Sequence, residues 1–280
     1  MRHFTVNPTV SDNGDHVGGV VGFLKGLQLL IENNIPENIF VIWEGGGSTR
    51  RRAIFPEYKH RKRPVRLNRF YEEDLPATVE NRNYQVNLLV KLLRNSGVRQ
   101  IYVSDCEADD VIGYLAKYFF KNKKLIIVSS DKDYYQLISD RVSVWSPGQK
   151  KFITSKIVKE KFNIPVHNFC LARCFCGDGS DGLPGIKGAG FPTMVKRFPE
   201  LSGPASLSVE DIINLSVERA TKSKIKLFKE INSNASLIKR NWKLMYLDLT
   251  NMSGTQILKI EHLTNTLESK PNKINFLRTL

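Results

Sequence analysis

Short apolar runs alternate with segments of helical periodicity along the first half of the chain. The apolar runs are continuous, which is the pattern of strands buried on both faces of a sheet. They predict three strands, at residues 39–43, 100–103 and 125–128. Apolar residues recur at helical spacing before and between them, at residues 17–31, 82–95 and 108–120. This alternation predicts an α/β fold with a mostly parallel central sheet flanked by helices.

The second half of the chain has a more helical pattern. It follows the turn sequence at residues 145–148 and includes a glycine-rich segment at residues 177–190. We expect a soft boundary near residue 160, with an α/β core over residues 1–160 and a helical region over residues 161–280.

The net charge of the chain indicates which class of partner it binds. Its 42 Lys and Arg residues outnumber 28 Asp and Glu residues, for a formal net charge of +14, and such a charge attracts nucleic acid. No uninterrupted apolar stretch reaches the roughly 18 residues that span a bilayer, and no secretory signal opens the chain. We therefore expect a cytoplasmic protein without a membrane partner.

Much of the positive charge lies in one segment, residues 50–69, which holds nine Lys or Arg residues and a single acid. Phe55 and Tyr58 lie among these basic residues, and their rings could stack on an unpaired base. The alternative interpretation is a solvated, disordered segment. The two interpretations are compatible if the segment becomes ordered only when it binds DNA.

The cysteines fit an intracellular protein with reduced thiols. Cys170, Cys174 and Cys176, with His167 nearby, could be zinc ligands. The favoured interpretation is that they are small buried residues of a helix, because the chain contains no Cys-x-x-Cys pair.

Acidic residues follow two of the predicted strands. Glu107, Asp109 and Asp110 come after the second strand and begin the next helix. Ligands bind at the carboxyl ends of strands in open α/β sheets. The alternative is that these acids complement the helix dipole, with Asp105 as the N-cap.

Asp131 and Asp133 follow the third strand in the same way. If the chain stays extended there, their side chains point to the same side. Two adjacent parallel strands would then bring five carboxylates to one edge of the sheet. Mutual repulsion makes such a group of carboxylates energetically unfavourable unless cations are bound. Carboxylate oxygens are hard ligands of the kind that suits Mg²⁺ or Mn²⁺.

Asp178 and Asp181 lie in the glycine-rich segment. Its spacing does not match a calcium-binding EF-hand, because Ala189 stands where the bidentate Glu should be. It does not match a dinucleotide fingerprint either, because Thr193 replaces the third glycine. Glycines that alternate with Pro184 and Lys187 before a helix can expose backbone N–H groups to a phosphate.

Four motifs together are specific for one family. In order they are Tyr58-Lys59-x-x-Lys62, Glu107-Ala-Asp109-Asp110, Ser130-Asp131-Lys-Asp133 and Gly177-Asp178-x-x-Asp181-Gly-Leu-Pro-Gly-Ile-Lys-Gly-x-Gly190. They resemble the 5′→3′ exonuclease and flap endonuclease superfamily, which includes the 5′ nuclease domain of bacterial DNA polymerase I. Two stretches, Trp145-Ser-Pro147 and residues 241–248, are most similar to the phage-encoded flap nucleases. If a phage encodes the chain, the expected cytoplasm is that of the host.

The resemblance implies a PIN-like 5′ nuclease core, a helical arch at about residues 45–75 and a helix–two-turn–helix motif at about residues 170–200. It also implies a two-metal phosphodiesterase with two Mg²⁺ ions, replaceable by Mn²⁺, and a K⁺ ion at the helix–two-turn–helix motif. Its partners would be branched or nicked duplex DNA, 5′ flaps and RNA–DNA primers, bound by a monomer.

The resemblance assigns roles by position. One metal would be held by Glu44, Glu107 and Asp109, and the other by Asp110, Asp131, Asp133, Asp178 and Asp181. Lys59 and Lys62 would be catalytic, by neutralising charge on the scissile phosphate. Further nucleic-acid contacts would come from Arg51, Tyr58, Gly185, Lys187, Gly188 and Gly190.

Two departures from the family pattern concern the first metal. Family members begin with a strand that carries an Asp ligand in a pattern like Asp-Gly-x-Asn, and we expect this chain to lack that strand and ligand. Glu44 stands where the family usually has Asp, and its extra methylene shifts the carboxylate.

The sequence therefore predicts a metal-dependent 5′→3′ exonuclease and 5′-flap endonuclease acting in DNA replication, primer removal or repair. The alternative is a non-catalytic binder of branched DNA that has lost its first metal ligand.

Overall fold

The computed structural model describes residues 7–60, 79–266 and 271–279. The strands are β1 (Phe40–Trp43), β2 (Arg99–Tyr102), β3 (Leu125–Val128), β4 (Val142–Ser146) and β5 (Lys151–Ile153). The α-helices are α1 (Gly18–Asn34), α2 (Thr49–Ile54), α3 (Val79–Asn95), α4 (Ala108–Tyr114), α5 (Ser155–Phe162), α6 (Val166–Cys176), α7 (Phe191–Arg197), α8 (Val209–Lys222), α9 (Lys226–Ser233), α10 (Ala235–Met245), α11 (Gly254–Thr266) and α12 (Lys273–Thr279). The described residues also contain four irregular helical segments, one π-helical (Leu115–Phe119) and three 3₁₀ (Lys132–Leu137, Pro199–Ser202 and Leu249–Asn251).

The chain divides into two compact units. Of the described residues, the first contains residues 7–43, 79–102, 258–266 and 271–279, and the second contains residues 44–60 and 103–257. The predicted soft boundary near residue 160 stays a prediction.

The first unit is built on the parallel pair β1 and β2, in which Phe40 lies opposite Arg99 and Trp43 opposite Tyr102. α1 and α3 cover this pair. Leu89, Leu92 and Leu93 form the centre of its apolar core. α1 ends at Asn34 because Ile35 adopts a left-handed conformation (φ 44°) and a proline follows.

The second unit carries a three-stranded sheet. β3 pairs with β4 in parallel, and β4 pairs with β5 antiparallel. α6 is the central helix of this unit, since Phe169, Leu171 and Phe175 are almost completely buried in its apolar clusters.

The predicted α/β class and the three predicted strands are confirmed, with shifts of one residue at β1 and β2. The predicted helices at residues 17–31, 82–95 and 108–120 are also present, although the last changes to π-helical geometry after Tyr114. The prediction that the second and third strands are neighbours is wrong for the described residues. β2 pairs with β1 and β3 pairs with β4, in separate ladders.

The cysteines follow the favoured interpretation. Cys170 and Cys174 are buried in α6, Cys176 is half-buried, and the thiol of Cys174 contacts the carbonyl of Cys170 at 3.1 Å. Within the described ranges, the residue groups able to hold a metal ion contain only aspartates. Within the same ranges, no helix has the length and apolarity of a membrane span.

Candidate metal centre and the cations around it

The first turn of α4 carries three of the predicted acids. Glu107 is its N-cap, and Asp109 and Asp110 follow in the first turn. Asp105 does not cap this helix. Its carboxylate instead accepts from the backbone N–H and the hydroxyl of Thr49, at 2.7 and 2.8 Å, at the start of α2.

Asp131 and Asp133 begin the 3₁₀ helix that follows β3. Oδ1 of Asp131 accepts from the backbone N–H of Asp133 at 3.0 Å, so Asp131 is the N-cap. The chain is therefore not extended there, contrary to the sequence-based assumption. The tight turn still keeps the two carboxylates close together.

Asp178 and Asp181 lie in a closed loop between α6 and α7. Two backbone hydrogen bonds between Asp178 and Leu183, at 2.8 and 2.7 Å, close it. The backbone entering the loop requires glycine. Gly177 has φ 75°, and a Cβ there would lie 2.3 Å from the backbone nitrogen of Gly185.

These three segments bring their carboxylates into two groups. The first cluster is Asp109, Asp131 and Asp133, and the second cluster is Asp133, Asp178 and Asp181. In each cluster one oxygen per residue lies within 4.8 Å of the others. Because Asp133 belongs to both clusters, the two candidate cation positions are neighbours that share one ligand.

Burial and the neighbouring negative charges disfavour the ionised carboxylates of the clusters, and a bound cation would offset both effects. Burial raises the pKa of Asp109 to about 6, and the charges of Asp131 and Glu44 add to this effect. Burial likewise raises the pKa of Asp133 to about 7, with further increases from Asp131, Asp109 and Asp181. Burial also raises the pKa of Asp181. Hard oxygen donors of this kind fit Mg²⁺ or Mn²⁺.

Arg173 supplies positive charge to the second cluster. Its Nη2 lies 3.1 Å from Oδ1 of Asp133 and forms a close ion pair with Oδ2 of Asp178. Burial alone would raise the pKa of Asp178, but the hydrogen bonds of Ser180 and the charge of Arg173 hold it below its usual value.

Sequence reasoning missed both Arg173 and Tyr134. A single Arg in the otherwise apolar helix α6 was the available signal, because a buried cation requires an anionic partner. Tyr134, whose hydroxyl donates to Oδ1 of Asp109, carried no comparable signal.

Glu107 is surrounded by donors rather than by other acids. Its Oε2 accepts from the ammonium of Lys59 at 2.9 Å and from the hydroxyl of Tyr58 at 3.1 Å. Lys59 also lies 3.7 Å from Asp181 and remains 38% exposed. Tyr58 is buried, whereas stacking on an unpaired base would require an exposed ring.

Asp110 and Arg51 pair with each other. Both residues are buried, with 3% of their surface exposed, and the guanidinium contacts the carboxylate through two nitrogens. This placement differs from both predicted roles, since Asp110 belongs to neither cluster and Arg51 does not face solvent.

The remaining predicted residues lie in varied settings. Glu44 is exposed and accepts from the N–H of Ala108 at 3.3 Å, at the start of α4. Lys187 is exposed, as are Gly188 and Gly190. Gly185 is half-buried, and a Cβ there would lie 2.1 Å from the carbonyl oxygen of Cys176, so this glycine is required by packing. Lys62 lies outside the described residues.

Comparisons with known proteins point in one direction. The family model of the 5′–3′ exonuclease N-terminal resolvase-like domain matches residues 1–163. A 5′–3′ exonuclease of Buchnera aphidicola from Schizaphis graminum is 29% identical over 230 residues, which are 80% of this chain and 75% of the relative. A 5′–3′ exonuclease of Bacillus subtilis strain 168 is 31% identical over 205 residues, which are 71% of this chain and 63% of the relative.

A solved structure shares the fold. It is a bacteriophage T5 flap endonuclease in a pseudo-enzyme–product complex with DNA and metal ions. The TM-score is 0.67 at 20% identity, and the alignment covers 93% of this chain and 90% of that chain.

Proposed function

This chain belongs to the 5′–3′ exonuclease family, and from that premise we propose that it is a metal-dependent 5′ nuclease. The reaction is the hydrolysis of phosphodiester bonds at 5′ ends and 5′ flaps of branched or nicked DNA. The observation that supports it is the pair of aspartate clusters sharing Asp133, with the ammonium of Lys59 beside Asp181.

The proposed metal ligands are the aspartates of the two clusters. Asp109, Asp131 and Asp133 would hold one Mg²⁺ ion, and Asp133, Asp178 and Asp181 would hold the second. Mn²⁺ suits the same oxygens. When bound, two such ions supply a hydroxide nucleophile and stabilise charge on the attacking and leaving oxygens.

The side chains around the clusters position the carboxylates and the substrate. Tyr134 holds Asp109 by its hydroxyl, and Arg173 holds Asp133 and Asp178. Lys59, the exposed cation among them, would contact the scissile phosphate and neutralise its developing charge. We propose the same role for Lys62.

The duplex would be bound by the segment between α6 and α7. Lys187, Gly188 and Gly190 are exposed there, and Gly188 has φ 84° with open space around it. Such backbone can approach a phosphate closely. A K⁺ ion at this helix–two-turn–helix segment, RNA–DNA primers as further substrates, and a monomeric enzyme belong to the same proposal.

The alternative of a non-catalytic DNA binder gains no support from the relatives described above, which are exonucleases by name. The carboxylates of both clusters also lie close enough together to share cations, as a catalytic site requires.

A cleavage assay tests the proposal. A duplex with a labelled 5′ flap is incubated with the chain in excess Mg²⁺ and, separately, in EDTA. We expect short labelled products in Mg²⁺ and none in EDTA. Binding under both conditions without cleavage in Mg²⁺ would favour the non-catalytic alternative.

The matched control is Asp133→Asn, which removes the shared carboxylate while keeping its shape. This variant should bind the flap duplex and fail to cleave it. Cleavage at the wild-type rate would show that the clusters are not the active site.

A further inference from the structure

A buried ion pair lies beside Glu107, outside both aspartate clusters. Nη2 of Arg51 donates to Oδ1 of Asp110 at 2.8 Å, and Nη1 donates to Oδ2. Nε of Arg51 donates to the carbonyl oxygen of Leu244 at 3.0 Å. All three guanidinium nitrogens therefore donate to acceptors of the protein itself. Bidentate pairs of this kind have a fixed geometry.

The carboxylate of Asp110 has a third donor. Nδ2 of Asn251 donates to Oδ1 of Asp110 at 3.1 Å and to the carbonyl oxygen of Tyr246 at 2.7 Å. With three N–H groups on its two oxygens, Asp110 has little capacity left for a cation. Its absence from both clusters agrees with this count.

The pair also connects α2 to α4. The backbone N–H of Arg51 is capped by the hydroxyl of Ser48 at 3.2 Å, while its side chain reaches Asp110. Tyr58 and Lys59 lie in the turn that follows α2, and both donate to Oε2 of Glu107. Nη1 of Arg51 lies 3.6 Å from the same oxygen. Arg51, Tyr58 and Lys59 thus meet at one atom.

We propose that Asp110 is not a metal ligand, and that Arg51 and Asp110 are a positioning pair that holds Lys59 beside the aspartate clusters. The proposal rests on the proposed function, in which Lys59 contacts the scissile phosphate. It replaces a ligand role for Asp110 and a DNA contact for Arg51 with one structural role shared by both.

A metal titration tests the first half. Asp110→Asn and Asp109→Asn are titrated with Mn²⁺ by calorimetry, without DNA. We expect Asp109→Asn to weaken binding at least roughly tenfold, and Asp110→Asn to change it by less than about threefold. Equal weakening by both variants, with unchanged circular dichroism, would overturn the proposal.

Loss of one charge of a buried ion pair can unfold the protein. A double variant in which both charged residues are replaced by apolar ones is therefore measured as well. In Arg51→Met with Asp110→Leu, both charges are removed together, and we expect a higher Tm than in either single variant. This double variant should bind Mn²⁺ within about threefold of the wild-type protein. A loss of metal binding in the folded double variant would contradict the proposal.

An activity cycle tests the second half. Single-turnover cleavage of the 5′-flap duplex is measured for Arg51→Met, for Lys59→Met and for the two combined. We expect roughly a tenfold loss from the first and a hundredfold loss from the second. If Arg51 acts through Lys59, the combined variant should cleave as slowly as Lys59→Met alone. Losses that multiply would overturn the positioning role.

Arg52→Met is the control in the same helix. Arg52 is half exposed and lies 3.9 Å from Asp105, so its loss should leave the cleavage rate constant and Mn²⁺ binding unchanged. Failure of the wild-type protein to cleave would count against the proposed function alone. The Mn²⁺ titration would still decide whether Asp110 is a ligand.

Discussion

At the scale of single residues, Asp133 connects the chemistry of the site. It belongs to both aspartate clusters, contacts Arg173, and has a pKa raised to about 7 by burial and by its acidic neighbours. A carboxylate with such a pKa exchanges a proton for a metal ion near neutral pH. The site is therefore sensitive to pH in a range where ordinary aspartates are fully ionised.

We predict opposite effects of pH on the metal-free and metal-bound protein. In the folded metal-free chain, Asp109 and Asp133 have pKa values of about 6 and about 7, above the usual value of about 3.9 in an unfolded chain. The folded state then binds more protons between about pH 4 and 7, so its stability falls as pH rises through this window. Mg²⁺ binding, which requires the carboxylates, strengthens over the same window.

Melting temperatures in EDTA and in excess Mg²⁺ check this prediction. The Tm increase caused by Mg²⁺ should be small near pH 5 and large near pH 8. In Asp133→Asn the dependence of this increase on pH should be weaker. A Mg²⁺ effect of equal size at both pH values would show that these carboxyl groups do not compete for protons and metal.

Arg173 has an effect on Asp133 that can be measured. Its positive charge opposes the burial that raises the pKa of Asp133. We predict that Arg173→Gln raises that pKa further and moves the pH midpoint of Mn²⁺ binding to a higher value, measured by calorimetry over a pH series. Lys196→Gln, an exposed lysine on α7, is the control and should leave the midpoint in place. A midpoint that moved downward in Arg173→Gln would show instead that the guanidinium competes with the cation.

At the scale of elements, the loop between α6 and α7 carries two carboxylates, and two parts of its backbone lie in close contact. Residues 177 and 185 approach so tightly that neither position has room for a Cβ. The loop geometry, and with it the second cluster, therefore depends on these glycines.

We predict that Gly177→Ala is costly and that Gly179→Ala is not. An alanine at position 177 would require a positive φ and meet backbone atoms, which should reduce the free energy of unfolding by about 1–3 kcal/mol. Gly179 is exposed with open space around it, so it is a matched control in the same loop. Urea unfolding and Mn²⁺ titration of both variants provide the measurements. Equal free energies of unfolding for the two variants would contradict the requirement for glycine where residues 177 and 185 approach each other.

At the scale of the whole molecule, the net charge of +14 should govern association with DNA. Each phosphate neutralised by Lys or Arg contributes about −0.9 to the slope of log affinity against log salt concentration. A protein with this charge should therefore lose affinity steeply as salt rises.

We predict that affinity for a 5′-flap duplex, measured by fluorescence anisotropy in EDTA, falls at least roughly a hundredfold between about 50 and 200 mM salt. Lys187→Gln should make the slope less negative by about 1 if Lys187 contacts one phosphate. A flat dependence on salt would contradict nucleic-acid binding by this chain.

The sequence by itself determined the class of fold, the family and the identity of the acidic residues. Strand patterns such as residues 125–128 are local, and motifs such as Ser130-Asp131-Lys-Asp133 depend only on the order of residues. Local backbone preferences and charge follow directly from the types and order of the residues, so both could be predicted without a structure.

The partners of those acids were decided only by the tertiary structure. The motif groups Asp109 and Asp110 as neighbours in sequence, yet the fold directs Asp109 to Asp131 and Asp133, and Asp110 to Arg51. Arg173 contacts Asp133 across 40 positions of the chain, and no sequence spacing indicates such a contact. Whether a buried carboxylate binds a metal or an arginine depends on which donor the packing places beside it, and packing is a property of the folded chain.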